Sequence, residues 1–221
     1  MNFSWAENYP EVHKVCTLFN LNELSSPLKY SYKSLQGFLQ DGPQCGLVAL
    51  AMYTGNPTRE SIQALFESAT KKGYTYNGEM FSAQNMADLA KSQLKSTAVD
   101  LYSGLLNTDE IKEMLLHGCN LLVPYDSDKD NSPCQQNGHK AHWAAICGAV
   151  QTQQDFYVLA RHGKARNVAV WKLSELSASN AQLNEVGVYQ KAPDIQFKLP
   201  DGGIDGPLGL KCKSVILKDC L

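Results

Sequence analysis

Residues 45–53 read CGLVALAMY, nine positions without a charged side chain. The run has the length and setting of a helix, with Pro43 just before it and Gly55, Asn56 and Pro57 just after. A surface helix shows one apolar stripe and one polar face, and this one has no polar face. It must therefore be buried, and the rest of the chain has to cover it. With 221 residues, 43% of them hydrophobic, there is enough material for one sizeable core.

The covering elements can be read on either side. Residues 58–73 carry acids early, lysines late and Gly73 as a stop, which predicts a helix. Residues 82–94 predict another, with Met86, Leu89 and Ala90 on one face. A further helix is expected over 108–118, with Thr108 as cap, Asp109 and Glu110 in the first turn and Gly118 as the close. Beyond this the pattern changes to short β-rich runs at 119–125, 142–150, 155–160 and 166–171, and a polar loop separates the first two. Helices followed by a sheet make an α+β plan. Residues 1–34 show weak periodicity and read as an irregular N-terminal extension, with the domain spanning 35–221.

Charge and cysteine usage exclude several functions. A net charge of -2 and a pI near 6.2 leave no basic surplus for a phosphate backbone, so no nucleic-acid partner is expected. No apolar run approaches a membrane span, and the N-terminus lacks the charged and apolar regions of a secretory signal. Seven cysteines, an odd number in a chain of this size, predict reduced thiols and a cytoplasmic location.

Cys45 opens the buried helix. The unpaired N–H groups and partial positive charge of a helix start favour a thiolate, and the same N–H groups can meet an oxyanion. Gly46 would leave the approach to sulfur open. The alternative is a cysteine used as a small core residue. A nucleophile needs a base, and His142 is the candidate, because it starts an apolar strand directly after a polar loop, where an imidazole reaches the rim of a cleft. Cys45 and His142 are 97 residues apart, so any pairing between them is spatial. Cys134, His139 and His142 could also be read as zinc ligands, but the spacing matches no known finger and no HExxH motif is present, so neither metal nor cofactor is expected.

The pattern Q-x4-CG at the head of a buried helix, followed by HW and an apolar strand, resembles papain-like cysteine peptidases, in the branch that includes bacteriocin leader peptidases. The strings LQDGPQCGLVALAM and LLVPYDSDKDNSPCQQNGHKAHWA resemble more narrowly the actin maturation protease family. That resemblance implies a papain-like fold and a cytosolic enzyme that removes an acetylated Met or Cys from immature actin. It implies Cys45 as nucleophile, His142 as general base and Gln40 as the side-chain donor of the oxyanion hole; Gln44 is nearer in sequence but would point away. Papain-like enzymes usually hold the histidine with Asn or Asp on the next strand. Here that position falls in LARHG, where Ala160, Arg161 and His162 offer neither, and Asp155 and Asn167 are badly placed. A Cys/His dyad is expected, with a backbone carbonyl available to orient the imidazole.

Actin N-termini are acidic beyond the removed residue, so the turn RHGKAR is expected to supply Arg161 and Lys164 to the substrate. Family members often carry a Pro-rich segment suited to profilin. The nine prolines here form no such tract, which leaves profilin as an open question. The rival readings are a non-catalytic actin-binding module of the same fold and a Cys/His acyltransferase or deamidase.

Overall fold

The structure is a computed structural model that describes residues 3–188 and 194–219. In chain order the main elements are α1 (Pro10–Leu18), β1 (Lys29–Tyr32), α2 (Cys45–Tyr53), α3 (Arg59–Lys71), α4 (Ala83–Gln93), β2 (Thr97–Ser103) and α5 (Asp109–Leu116). They continue as β3 (Asn120–Ser127), β4 (Pro133–Cys134), β5 (Ala141–Gln151), β6 (Phe156–His162), β7 (Ala169–Lys172), α6 (Leu173–Ala181) and β8 (Lys213–Asp219).

The predicted helices form where their caps allow. Thr58 and Ser61 cap α3 reciprocally, Ser82 caps α4 and Thr108 caps α5, each satisfying a backbone N–H that the helix itself leaves open. α2 is the exception. Eight of its nine residues are buried, and no side chain caps its start at Gln44, so packing alone holds it in place.

All strand pairings are antiparallel, in the order β2-β8-β3-β5-β6-β7, with β1 joined to β5 and β4 to β3. The expected α+β papain-like plan is what is observed, with the Cys45 helix laid on an antiparallel sheet. Alternation along β5 splits the core. Trp143, Ala145 and Cys147 pack with α2, while Ala144 and Ile146 pack in a second cluster with residues of α5 and α6. Covered on both faces, β3 and β6 are buried throughout, which is why they read as nearly unbroken apolar runs.

The irregular extension expected over residues 1–34 is corrected for its described part, residues 3–34. This stretch folds into α1 and β1, and β1 pairs with residues 148–151 of β5. The pairing depends on Gly148, where a Cβ would sit 2.6 Å from the Ser31 carbonyl oxygen. Glu11 fastens α1 from the other side, accepting from the Arg161 guanidinium, the Tyr32 hydroxyl and the Ser34 hydroxyl. These long-range contacts leave little local trace, since α1 lacks a side-chain cap and β1 is a short, half-exposed KYSY. α6 is equally hard to read from sequence, being serine-rich and without a capping side chain at its start. β2 and β8, each paired to the other over seven residues, are likewise additions to the expected elements.

Candidate active site

Where α2 begins, at the end of the sheet formed by the start of β5 and the end of β6, there is a cavity of about 590 Å³. Cys45, His142 and Gln40 all line it, so residues distant in sequence share one cavity. Lys140 and Lys164 stand on the same lining, and Met80, Phe81, Phe197 and Trp143 supply an apolar side.

Cys45 is the first helical residue of α2 and is half-buried. Burial is the dominant influence and pushes its thiol above the ordinary value. Hydrogen bonding from the Trp143 backbone, the Lys164 ammonium, and the Gly46 and Cys45 amides act in the opposite direction. The helix start therefore supplies donors around the sulfur, as expected, without making a resting thiolate. Gly46 has a different role from the one expected. It is buried, and a Cβ there would lie 2.5 Å from Met86 Cε and 3.1 Å from Met80 Cβ, so the glycine lets α2 pack rather than opening a path to sulfur.

His142 is 3% exposed, and its Nε2 is buried without a hydrogen-bond partner among the described residues. No backbone carbonyl orients that nitrogen, contrary to expectation. The ring is instead boxed by aromatics. Tyr125 meets it edge-on with centroids 5.7 Å apart, and His162 does the same at 5.9 Å, while His162 in turn stacks on Trp171. His162 is the residue that sequence reasoning passes over for being neither acid nor amide. Asp155, at the other end of β6, is bound to Lys172.

Burial, then the nearby Lys164 charge and the other imidazole, holds His142 well below the ordinary histidine range. Burial followed by Lys164 and Arg161 brings His162 to about 4. Both rings are neutral at pH 7. In the unfolded chain each takes a proton near 6.5, so stability is full above that value and declines as pH falls toward 4. At pH 5 His162 is expected to cost about 2 kcal/mol relative to pH 7.5, with a loss of the same sign from His142. Urea titrations at the two pH values should show this loss, and His162→Phe should remove the His162 share; an unchanged pH slope in that variant would refute the assignment.

Gln40 sits over Gly163. Its backbone N–H donates to the Gly163 carbonyl at 2.7 Å, and a Cβ on Gly163 would meet Gln40 Oε1 at 2.5 Å. Its side-chain amide donates to the Gly42 carbonyl at 2.8 Å, which uses one of two N–H donors. Gln44 packs against Gly78 and is not among the cavity-lining residues.

Arg161 requires a correction. It is 2% exposed, paired with Glu11 and donating to the Arg166 carbonyl, and it does not reach the cavity. Successive residues of β6 alternate between sheet faces, so His162 faces His142 while Arg161 is turned toward α1. Lys164, past the end of the strand, does reach the cavity. Cys134, His139 and His142 do not assemble. His139 pairs with Glu185 at 2.7 Å, and among the described residues no three His, Cys, Asp or Glu side chains form a metal-holding group.

The match to known proteins covers most of the chain. Residues 35–150 match a family described as actin maturation protease-like, C-terminal domain. A relative named actin maturation protease from Drosophila melanogaster is 46% identical over 217 residues, covering 97% of this chain and 80% of the relative. The chain belongs to the actin maturation protease family. Members of the same name from Xenopus tropicalis and Danio rerio are 33% and 32% identical, over 81% and 77% of this chain and 70% and 69% of their own lengths. Cys45, the start of β5 and His142 lie inside the matched family region, whereas His162 and Lys164 lie beyond it.

Proposed function

We propose that this chain is a cysteine peptidase that removes the N-acetylated Met or Cys from the N-terminus of immature actin. The observation that carries the reading is a cavity that holds a thiol, an imidazole and, among its described residues, a single carboxylate. That carboxylate, Glu79, already accepts from the backbone N–H groups of Tyr76, Asn77 and Lys198. A free amino terminus is an ammonium and would gain from an unengaged carboxylate there. An acetylated terminus is neutral and needs only apolar surface and amide hydrogen bonds.

In this reading, His142 takes the Cys45 thiol proton as sulfur attacks the carbonyl of the acetylated residue. The oxyanion is met by the N–H groups at the start of α2 and the remaining Gln40 amide hydrogen. Collapse breaks the C–N bond, His142 returns the proton to the leaving amine, and actin departs with a new N-terminus. Water then hydrolyses the thioester and releases the acetylated amino acid. The buried thiol and imidazole are both neutral at rest, so proton transfer accompanies attack. Gln40→Ala is expected to lower kcat roughly 100- to 1000-fold with little change in KM; steady-state kinetics with a wild-type kcat would remove Gln40 from the oxyanion hole.

The reaction is tested by mass spectrometry of two actin-like N-terminal peptides, one acetylated and one with a free amine. Release of acetyl-methionine from the first alone is expected, and cleavage of only the free-amine peptide would overturn the reading. A cytoplasmic location fits the six described cysteines, all of which are free thiols. No helix among the described residues is long and apolar enough to cross a membrane.

A further inference from the structure

The end of β3 carries an unusual pair. Asp126 is 0% exposed, and among the described residues no cation pairs with it. Its Oδ2 accepts from the backbone N–H of Gln136 at 2.9 Å, that of Gly138 at 2.7 Å and the Gln182 side-chain amide at 2.8 Å. Its Oδ1 accepts from the Lys140 N–H at 2.8 Å. A buried carboxylate is costly unless donors surround it, and here four donors do so, three of them from alternate residues of one loop. That loop forms the cavity wall from Gly138 to Ala141.

The next residue acts on the opposite side. Ser127 is 3% exposed, its N–H donates to the Lys140 carbonyl at 3.2 Å, and its hydroxyl accepts from Lys164 Nζ at 2.6 Å. Two adjacent residues thus hold the backbone of one lysine and the ammonium of the other. Lys140 and Lys164 come from different loops, yet both line the cavity, close enough for Lys140 to act on Lys164 and for Lys164 to act on Cys45. Asp128 also acts on Lys164, while Glu79 is held by backbone donors and His139 by Glu185.

We propose that Asp126 and Ser127 are positioning residues that set Lys140 and Lys164 as a paired cationic rim, which reads the carboxylates of an acidic peptide bound beside Cys45. This rests on the peptidase reading above and adds Lys140, Asp126 and Ser127 to it. Lys140 is carried by its backbone, so loosening Asp126 shifts the charge without removing it, and preorganisation is lost.

The test measures binding without turnover, in the Cys45→Ala protein. Fluorescence anisotropy compares a labelled acetyl-methionyl peptide followed by acidic residues with the same peptide carrying amides in their place. The acidic-over-amide preference is expected to fall roughly tenfold in Asp126→Asn and in Lys140→Met. The double variant should be no worse than the poorer single, because both changes act on one lysine. Equal weakening of both peptides by Asp126→Asn would mean a scaffold role only and would overturn the proposal. So would additive losses, or no acidic preference in the Cys45→Ala parent. Ser127→Ala, which deletes one hydroxyl, covers the case where Asp126→Asn does not fold: the preference should drop several-fold, and an unchanged preference overturns the proposal. Failure of the wild type to release acetyl-methionine would strike the proposed reaction and leave this binding comparison standing.

Discussion

Cys45→Ala should abolish release of acetyl-methionine from an acetylated actin-like peptide, by a factor of at least about ten thousand, while the protein remains folded. Removing a nucleophile takes away the covalent route entirely, whereas binding and oxyanion donors alone leave only a small residue of rate. Alanine in place of a half-buried thiol at the first position of α2 leaves the rest of that helix buried as before, so thermal unfolding should be nearly unchanged. Mass spectrometry of the product with time decides it, and turnover within tenfold of wild type would end the nucleophile assignment. The wild-type thiol should show a matching pH signature. Burial raises its pKa, so the thiolate is scarce at pH 7 and alkylation of Cys45 by iodoacetamide should accelerate as pH rises through 9. A fast, pH-independent reaction between pH 6 and 8 would instead indicate a preformed ion pair with His142.

Glu11→Ala should cost about 3–5 kcal/mol of stability, because it strands the Arg161 guanidinium in the interior. Arg161 is 3% exposed at its side chain and Glu11 33%, so the two halves of the pair are not equivalent. Arg161→Met should cost less, since the carboxylate keeps water together with the Tyr32 and Ser34 hydroxyls. Arg161→Glu opposes two carboxylates and should lower activity on acidic and neutral peptides alike, through loss of the fold. Urea unfolding with parallel assays separates the cases. A charge reversal that changed acidic-peptide selectivity while leaving stability intact would restore Arg161 to the substrate site.

The contrast between these residues shows how far the sequence reaches. Cys45 is legible because it heads a helix with no polar face, where open backbone N–H groups meet the sulfur. His142 is legible because a polar loop running into an apolar strand marks a rim. Those are local signals, as are the capping residues Thr58, Ser82 and Thr108 that place three helices. Arg161 misleads for the same reason. RHGKAR looks like a uniform basic turn, yet Arg161 and His162 are still strand residues on opposite faces of β6, and only the pairing with β5 and the position of α1 turn Arg161 to Glu11 and His162 to His142, leaving Lys164 to line the cavity.

His162 and Asp126 carry no signal at all. An imidazole beside another imidazole, or a carboxylate gathering four donors from two distant segments, is an arrangement of partners far apart along the chain. The same holds for α1 and β1, which are short and poorly capped and gain their order from Glu11 and from β5. The sequence by itself determined the buried helix and the α+β plan and singled out a thiol and a histidine that line one cavity, because periodicity, caps and composition act over a few residues. Only the tertiary structure decided which cations face the cavity and what surrounds His142. Those depend on strand register, where a shift of one residue exchanges the two faces of the sheet.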